Sequence, residues 1–191
     1  VAPVIAPLAP DPATMDALAE MLVEVVANGG SVSFMHPLAV ADATAFWTRS
    51  LAAAQAGERV VLGAHEAGRL VATVTLLLDC PPNQPHRAEI AKLMTRVHAR
   101  GRGLARALML EAERLAVARG RTLITLDTAE EEGAAGLYEG LGFQRVGLIP
   151  DYAFKPHGGL TGTIIYFKRV GQASSSVPFP LAGEGVSEAD G

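Results

Sequence analysis

Between Lys92 and Arg106 the chain places five of its sixteen basic residues, Lys92, Arg96, Arg100, Arg102 and Arg106, around two glycines, Gly101 and Gly103. That combination suits one kind of chemistry, the gripping of a multiply charged oxyanion such as a pyrophosphate. Glycines let a backbone turn close onto a ligand. The N–H groups of a helix's first turn lack partners inside the helix, so they and the helix dipole converge on negative charge there. The sequence reads as a strand over residues 88–95, a Gly-rich turn, and a helix opening near Gly103, with Ala105 small enough to keep the approach open. It has neither the Gly-Lys-Ser/Thr ending of a P-loop nor a full Gly-x-Gly-x-x-Gly with a downstream ribose-binding acid. Taken alone, the same residues also describe a tight turn ahead of a solvated basic helix face.

The elements that must position this turn follow from periodicity. Residues 1–10 are Pro- and Ala-rich and read as an extended segment. Asp11-Pro12 supplies an N-cap and a proline at the first helical position, and Met15, Leu18, Leu22, Val25 and Val26 recur at helical spacing as far as Gly29-Gly30. A second helix is written by Val40, Ala43, Trp47, Leu51 and Ala54, with Phe46 and Trp47 read as core or groove-lining residues. From Arg59 the period falls to two: Val60, Val61 and Leu62, then Leu70, Ala72, Val74, Leu76 and Leu78, flank Glu66-Ala67-Gly68 as a hairpin. Further strands are expected at residues 88–95, 122–127, 143–148 and 163–169, with helices at 103–119 and 133–141. The result is one mixed α/β (α+β) domain over residues 11–170 in three layers.

A length of 191 residues favours a single core. Twenty acids against sixteen bases argue against a general nucleic-acid binder, although a local basic patch is compatible with them. Cys80, the one cysteine, cannot form an intrachain disulfide; flanked by Pro81 and without metal-ligand spacing, it reads as a bystander in a reducing compartment. The most apolar run, residues 70–78, is broken by Thr73 and Thr75 and falls short of the ~20 residues a membrane helix needs. Pro3, Pro7, Pro10 and Pro12, with no basic n-region, argue against a secretory leader, so a cytoplasmic location is expected. Residues 171–191 are rich in Gly, Ala, Ser and Pro and hold Glu184, Glu188 and Asp190 but no base, so a disordered tail is expected.

The pattern Arg100-x-x-Gly103-x-Ala105 after a strand resembles the acyl-CoA pyrophosphate loop of the GNAT superfamily of N-acetyltransferases. Downstream, Ala134-Ala135-Gly136-Leu137-Tyr138-Glu139-Gly140-Leu141-Gly142-Phe143 resembles the family's helix-to-strand segment beside the pantetheine arm, in the right order and spacing. A narrower likeness, carried by His86-Arg87-Ala88, Lys92-Leu93-Met94, Leu126-Asp127-Thr128, Arg145-Val146-Gly147, Pro150-x-Tyr152 and Tyr166-Phe167-Lys168, is to the branch that contains the tabtoxin-resistance acetyltransferase. Two departures stand out: Ala105 where many members have glycine, and Glu131 where many carry an asparagine. The resemblance implies the GNAT-like fold, a mixed, mostly antiparallel central sheet of about six to seven strands with about four helices on both faces. It implies acetyl-CoA as the cofactor, held by Met94, Thr95, Arg96, Arg100, Gly101, Arg102, Gly103, Leu104, Ala105, Arg106, Ala134, Leu137 and Tyr138.

It also implies direct attack of an amine on the thioester, with no covalent enzyme intermediate and no metal. A primary amine is mostly protonated at neutral pH, so a base must take a proton from it. Glu89, on the strand that leads into the turn, matches the glutamate base of histone-acetyltransferase members; Asp127, ending the next strand, is the second candidate. Either carboxylate could instead bind only substrate charge, and His86 and His98 stand further back as bases. Tyr138 is implied as the acid that protonates the leaving thiolate, and a backbone N–H near Met94 or Thr95 as the donor to the oxyanion. Glu89, Asp127, Asp151 and Tyr152 are the expected substrate-binding residues, and Arg87 or His86 could take a carboxylate. The expected partner is a small amino-acid-like or toxin amine, with no nucleic acid and no membrane. Many relatives pair through late strands, which leaves a homodimer as one option for assembly. A protein or peptide N-acetyltransferase and a non-catalytic acyl-CoA sensor remain the alternatives.

Overall fold

Asp11 caps the first helix: its carboxylate accepts from the Thr14 N–H at 3.0 Å and the Thr14 hydroxyl at 2.6 Å, while Pro12 occupies the start, where a missing N–H costs nothing. The computed structural model describes residues 3–171, so the expected tail, apart from Gly171, lies outside the described residues. Two helices come early, α1 (Pro12–Ala27) and α2 (Val40–Gln55). The strands β1 (Val4–Pro7), β2 (Arg59–Glu66), β3 (Arg69–Leu77), β4 (Arg87–Thr95), β5 (Leu123–Ala129), β6 (Gln144–Phe154) and β7 (Leu160–Arg169) form one sheet in the order β1-β2-β3-β4-β5-β7-β6. The crossover helix α3 (Leu104–Ala118) joins β4 to β5, and the short α4 (Ala135–Gly140) precedes β6. Every neighbouring pair is antiparallel except β4 with β5.

Each face of the sheet carries its own core. On one, Leu104, Leu108, Met109 and Ala112 of α3 pack with Tyr138 against Val74, Leu76, Ile124 and Tyr166. On the other, Leu18, Met21, Leu22 and Val26 of α1 and the fully buried Trp47 and Leu51 of α2 cover Val61, Leu70 and Met94. Each large apolar side chain so enclosed contributes about 1.5–3 kcal/mol relative to exposure. Two details exceed the sequence expectation. The extended N-terminal segment pairs with β2 as an edge strand, and β6 runs on to Phe154 rather than ending near residue 148. Register shifts between Arg145 and Gly147 and between Ile149 and Ala153, with Asp151 at φ +52°, break the alternation by which a strand is read. At the sheet edge Pro150 needs no ladder partner for its nitrogen. Among the described residues no helix is long and apolar enough to cross a membrane.

The feature that makes a site is the β4–β5 junction. The two parallel strands pair only through Arg87–Leu123, Ala88–Ile124 and Glu89–Thr125. Beyond Glu89 and Thr125 the ladder stops while both strands continue, leaving a wedge in the middle of the sheet.

Candidate active site

Two cavities open from that wedge. The larger, about 760 Å³, runs along the Gly-rich turn and is lined by residues 99–106, by Met94 and Thr95, by Asn28 to Gly30, and by Gly133, Ala134, Leu137 and Tyr138. The smaller, about 230 Å³, lies between Ile90 to Leu93 of β4 and Leu126 to Ala129 of β5 and is completed by Ser31 to Ser33, Tyr152 to Phe154 and Thr161 to Thr163. They meet at Val32, Leu93 and Tyr138, which line both.

The turn has the expected backbone chemistry. Gly101 and Gly103 hold φ +73° and +77°, the left-handed region that glycine enters without penalty. Gly103 is the N-cap of α3 and no side chain caps the helix there, so its first-turn N–H groups are available to a ligand. Arg100, Arg102 and Arg106 stand around it. Arg102 pairs with Glu66 at 2.7 Å, and Arg106 donates to the Gly140 carbonyl at 3.2 Å, which ties α3 to the α4 end of the groove. Glu131 also lines this groove and is neutralised by Lys155 at 3.0 Å.

Of the thirteen residues expected to hold a cofactor, Arg96 alone does not line the groove. Its guanidinium turns to α1 instead, bonding Glu24 at 2.9 Å, Glu20 at 3.3 Å and the Ala17 carbonyl at 3.1 Å. Lys92, counted by sequence with the anion-binding bases, lines the smaller cavity rather than the larger. The two carboxylates also separate. Asp127 lines the smaller cavity and accepts from the Thr163 hydroxyl at 3.3 Å. Glu89 lies outside it, paired with Arg87 at 2.9 Å, and the same Arg87 bonds Gln84 and Thr125. Arg87 is therefore occupied, and neither it nor His86 lines the cavity as a carboxylate receptor. Tyr152 is in the cavity wall, whereas Asp151, exposed at the β6 irregularity, does not line the cavity.

Tyr138 is largely buried, with its ring 6.1 Å from that of Phe143 and 5.7 Å from that of Tyr166, so packing holds it at the junction. The backbone N–H expected to face an oxyanion, near Met94 or Thr95, lies next to an irregularity of β4. Met94 and Thr95 are in register with Thr73 and Ala72, whereas Lys92 and Leu93 together oppose the single position between Thr73 and Thr75. Such a bulge leaves an N–H out of the ladder at Lys92–Leu93, and Leu93 is one of the three residues that line both cavities. The sequence offers a signal for it only in hindsight, because Lys92 takes φ +52°, which its residue type does not advertise.

Two segments that continue from the smaller cavity's walls, beyond Ser33 and beyond Phe154, are fastened to each other. The His36 N–H donates to the Pro156 carbonyl at 2.9 Å, the His36 and His157 rings lie 4.4 Å apart, and His157 Nε2 is 3.0 Å from the Ala27 carbonyl. The α1–α2 connection and the β6–β7 loop thus form one rim.

Solved structures share this architecture. A GNAT superfamily phosphinothricin acetyltransferase (Pat) from Sinorhizobium meliloti, in complex with AcCoA, superposes with a TM-score of 0.77 at 19% identity, covering 95% of each chain. An N-acetyltransferase from Staphylococcus aureus Mu50 gives 0.75 at 17% identity over 88% of this chain and 99% of that one. A GCN5-related N-acetyltransferase from Kribbella flavida gives 0.74 at 23% over 88% and 98%. These likenesses establish the fold. The family model described as Acetyltransferase (GNAT) family matches residues 31–143, more than half the chain and the span that holds the turn, the wedge and Tyr138, and the chain belongs to that family.

Proposed function

We propose that this enzyme transfers an acetyl group from acetyl-CoA to the primary amine of a small acceptor, by direct attack within a ternary complex. The observation that carries the reading is the meeting of the two cavities at Val32, Leu93 and Tyr138. The larger groove fits an elongated polyanion, with open α3 amides, two left-handed glycines and three arginines at one end and the apolar Ala134 and Leu137 towards the other. Met94, Thr95 and residues 100–106 would hold the phosphates and the arm. Acetyl-CoA bound there supplies an activated thioester.

The remaining chemistry falls to side chains of this chain. Asp127 takes a proton from the acceptor ammonium, directly or through one water; its place in the cavity, and the ion pair that occupies Glu89, support it over Glu89 as the base. Tyr138 carries the phenolic proton that the departing sulfur requires. The N–H freed by the β4 bulge faces the developing oxyanion, where a fixed donor gains strength as charge grows. A cavity of about 230 Å³ with a fastened rim supports a small molecule over a peptide. The narrower sequence likeness to the tabtoxin-resistance branch points the same way, towards an amino-acid-like amine.

Thermal shift against acetyl-CoA, longer acyl-CoAs and NAD(P), followed by a thiol-release assay over a panel of amines, tests this reading. Stabilisation by acetyl-CoA and amine-dependent release of CoA are expected. Stabilisation by nucleotides but not by CoA, or thiol release that no amine accelerates, overturns it.

A further inference from the structure

Lys92 enters the acceptor cavity by a backbone route that side chains rarely take, at φ +52° in the bulge of β4. Its Nζ donates to Ser33 Oγ at 3.0 Å and lies 5.7 Å from the ring centre of Phe46 and 6.0 Å from that of Phe34. Those contacts shelter the ammonium without neutralising it. Among the described residues no carboxylate forms an ion pair with Lys92, and none of the cations does so with Asp127 across the cavity. One small cavity therefore holds a cation and a carboxylate that are kept apart from each other.

A sheltered charge without a counter-charge is costly, and the cost is relieved when a ligand brings the opposite charge. Burial accordingly pushes the Lys92 ammonium's pKa down, with only the Asp127 charge pulling it back. Arg87 cannot serve the same end, since Gln84, Glu89 and Thr125 already engage it outside the cavity. We propose that Lys92 and Ser33 form an oxyanion subsite of the acceptor cavity, so that the acceptor is a zwitterion with its amine at Asp127 and a carboxylate or equivalent oxyanion at Lys92. This rests on the transfer reaction proposed above and names the class of acceptor for it. Ammonium and hydroxyl together suit a carboxylate, one oxygen on each, and the aromatic pair Phe34 and Phe46, packed edge to face at 5.2 Å, stands beside the ammonium.

The test uses α- and ω-amino acids and their decarboxylated counterparts as matched acceptor pairs. In the wild type, kcat/KM for the acid-bearing member should exceed that of its partner by about ten- to a hundredfold, the range of a charged hydrogen bond. Lys92→Met should collapse that ratio through KM, Lys92→Arg should keep part of it, and Ser33→Ala should reduce it less. Undiminished acetyl-CoA affinity by calorimetry shows that the variants are folded. A wild type that favours the decarboxylated amines, or a Lys92→Met variant that keeps the ratio, overturns the subsite and leaves the transfer reaction standing. Absence of amine-dependent thiol release overturns the transfer reaction instead. In that event calorimetric binding of the same pairs decides the subsite: the acid-bearing member must bind wild type more tightly than Lys92→Met, and equal binding overturns it.

Discussion

Glu24 of α1 and Arg96, just after β4, pair at 2.9 Å, and the other Glu24 oxygen accepts the Val97 N–H at 2.7 Å. One carboxylate thereby fixes both a side chain and the backbone at the entrance to the Gly-rich turn. Burial pushes the Glu24 carboxyl up, but the Val97 N–H and the Arg96 guanidinium together outweigh it and hold the carboxyl below its usual 4.5. A carboxylate with a pKa lower folded than unfolded lends stability that is present above the unfolded value and lost as pH falls through the folded one. Glu24→Gln should cost about 1–3 kcal/mol near neutral pH, since it removes the shorter of the two ion pairs of the sheltered Arg96, which then keeps only Glu20 at 3.3 Å. In urea melts, the gap between wild type and variant should close as the pH falls below the carboxyl's usual 4.5 and through its lowered folded value.

Tyr138→Phe keeps the ring among Phe143 and Tyr166 and removes only the hydroxyl. Turnover should fall about 10²-fold or more with little change in acetyl-CoA affinity or melting temperature. Unchanged turnover on a good acceptor rules Tyr138 out as the acid.

Asp127→Asn and Glu89→Gln separate the two candidate bases. The first should lower kcat about 10²–10⁴-fold. The second removes one partner of Arg87, which keeps Gln84 and Thr125, and should act mainly on stability. A larger kcat loss from Glu89→Gln reverses the assignment.

A Cβ on Gly103 meets nothing within 4 Å, so Gly103→Ala is opposed only by its φ of +77°. The left-handed conformation costs about 1–2 kcal/mol, and relief by a shifted turn should weaken acetyl-CoA binding about tenfold. Gly120→Ala is the control: φ is +70° with equally open surroundings, but the residue follows α3 at the end remote from the turn. The two variants should lose similar stability, and only the first should lose affinity in calorimetry.

The turn, the helices and most strands were legible because each rests on local rules: Asp11-Pro12 for a start, Gly29-Gly30 for a stop, a period of two for β2 and β3. Asp127 and Tyr138 could be singled out as candidates for the same reason, each sitting at a recognisable strand end or motif. The environment that sorts Asp127 from Glu89 was not legible, because Arg87 reaches Thr125 only after two distant segments pair. Lys92 stands in sequence with the bases of the Gly-rich turn, yet it lines the smaller cavity. A bulge turns a strand's side chains out of their expected alternation, and no composition announces it. Arg96 likewise looked like one more phosphate ligand until α1 brought Glu20 and Glu24 against it.

The two cavities overlap in only three residues, Val32, Leu93 and Tyr138. Apart from β4 and β5, the smaller cavity's walls come from the α1–α2 connection and from β6 and β7, while the larger groove is built chiefly from the turn and the start of α3. If the transfer reaction proposed above holds, substitutions at Ser33, Tyr152 or Phe154 should change what is accepted without disturbing what is given. Such a division lets a lineage exchange one amine for another by drift in a few wall residues, and it offers an engineer the same freedom.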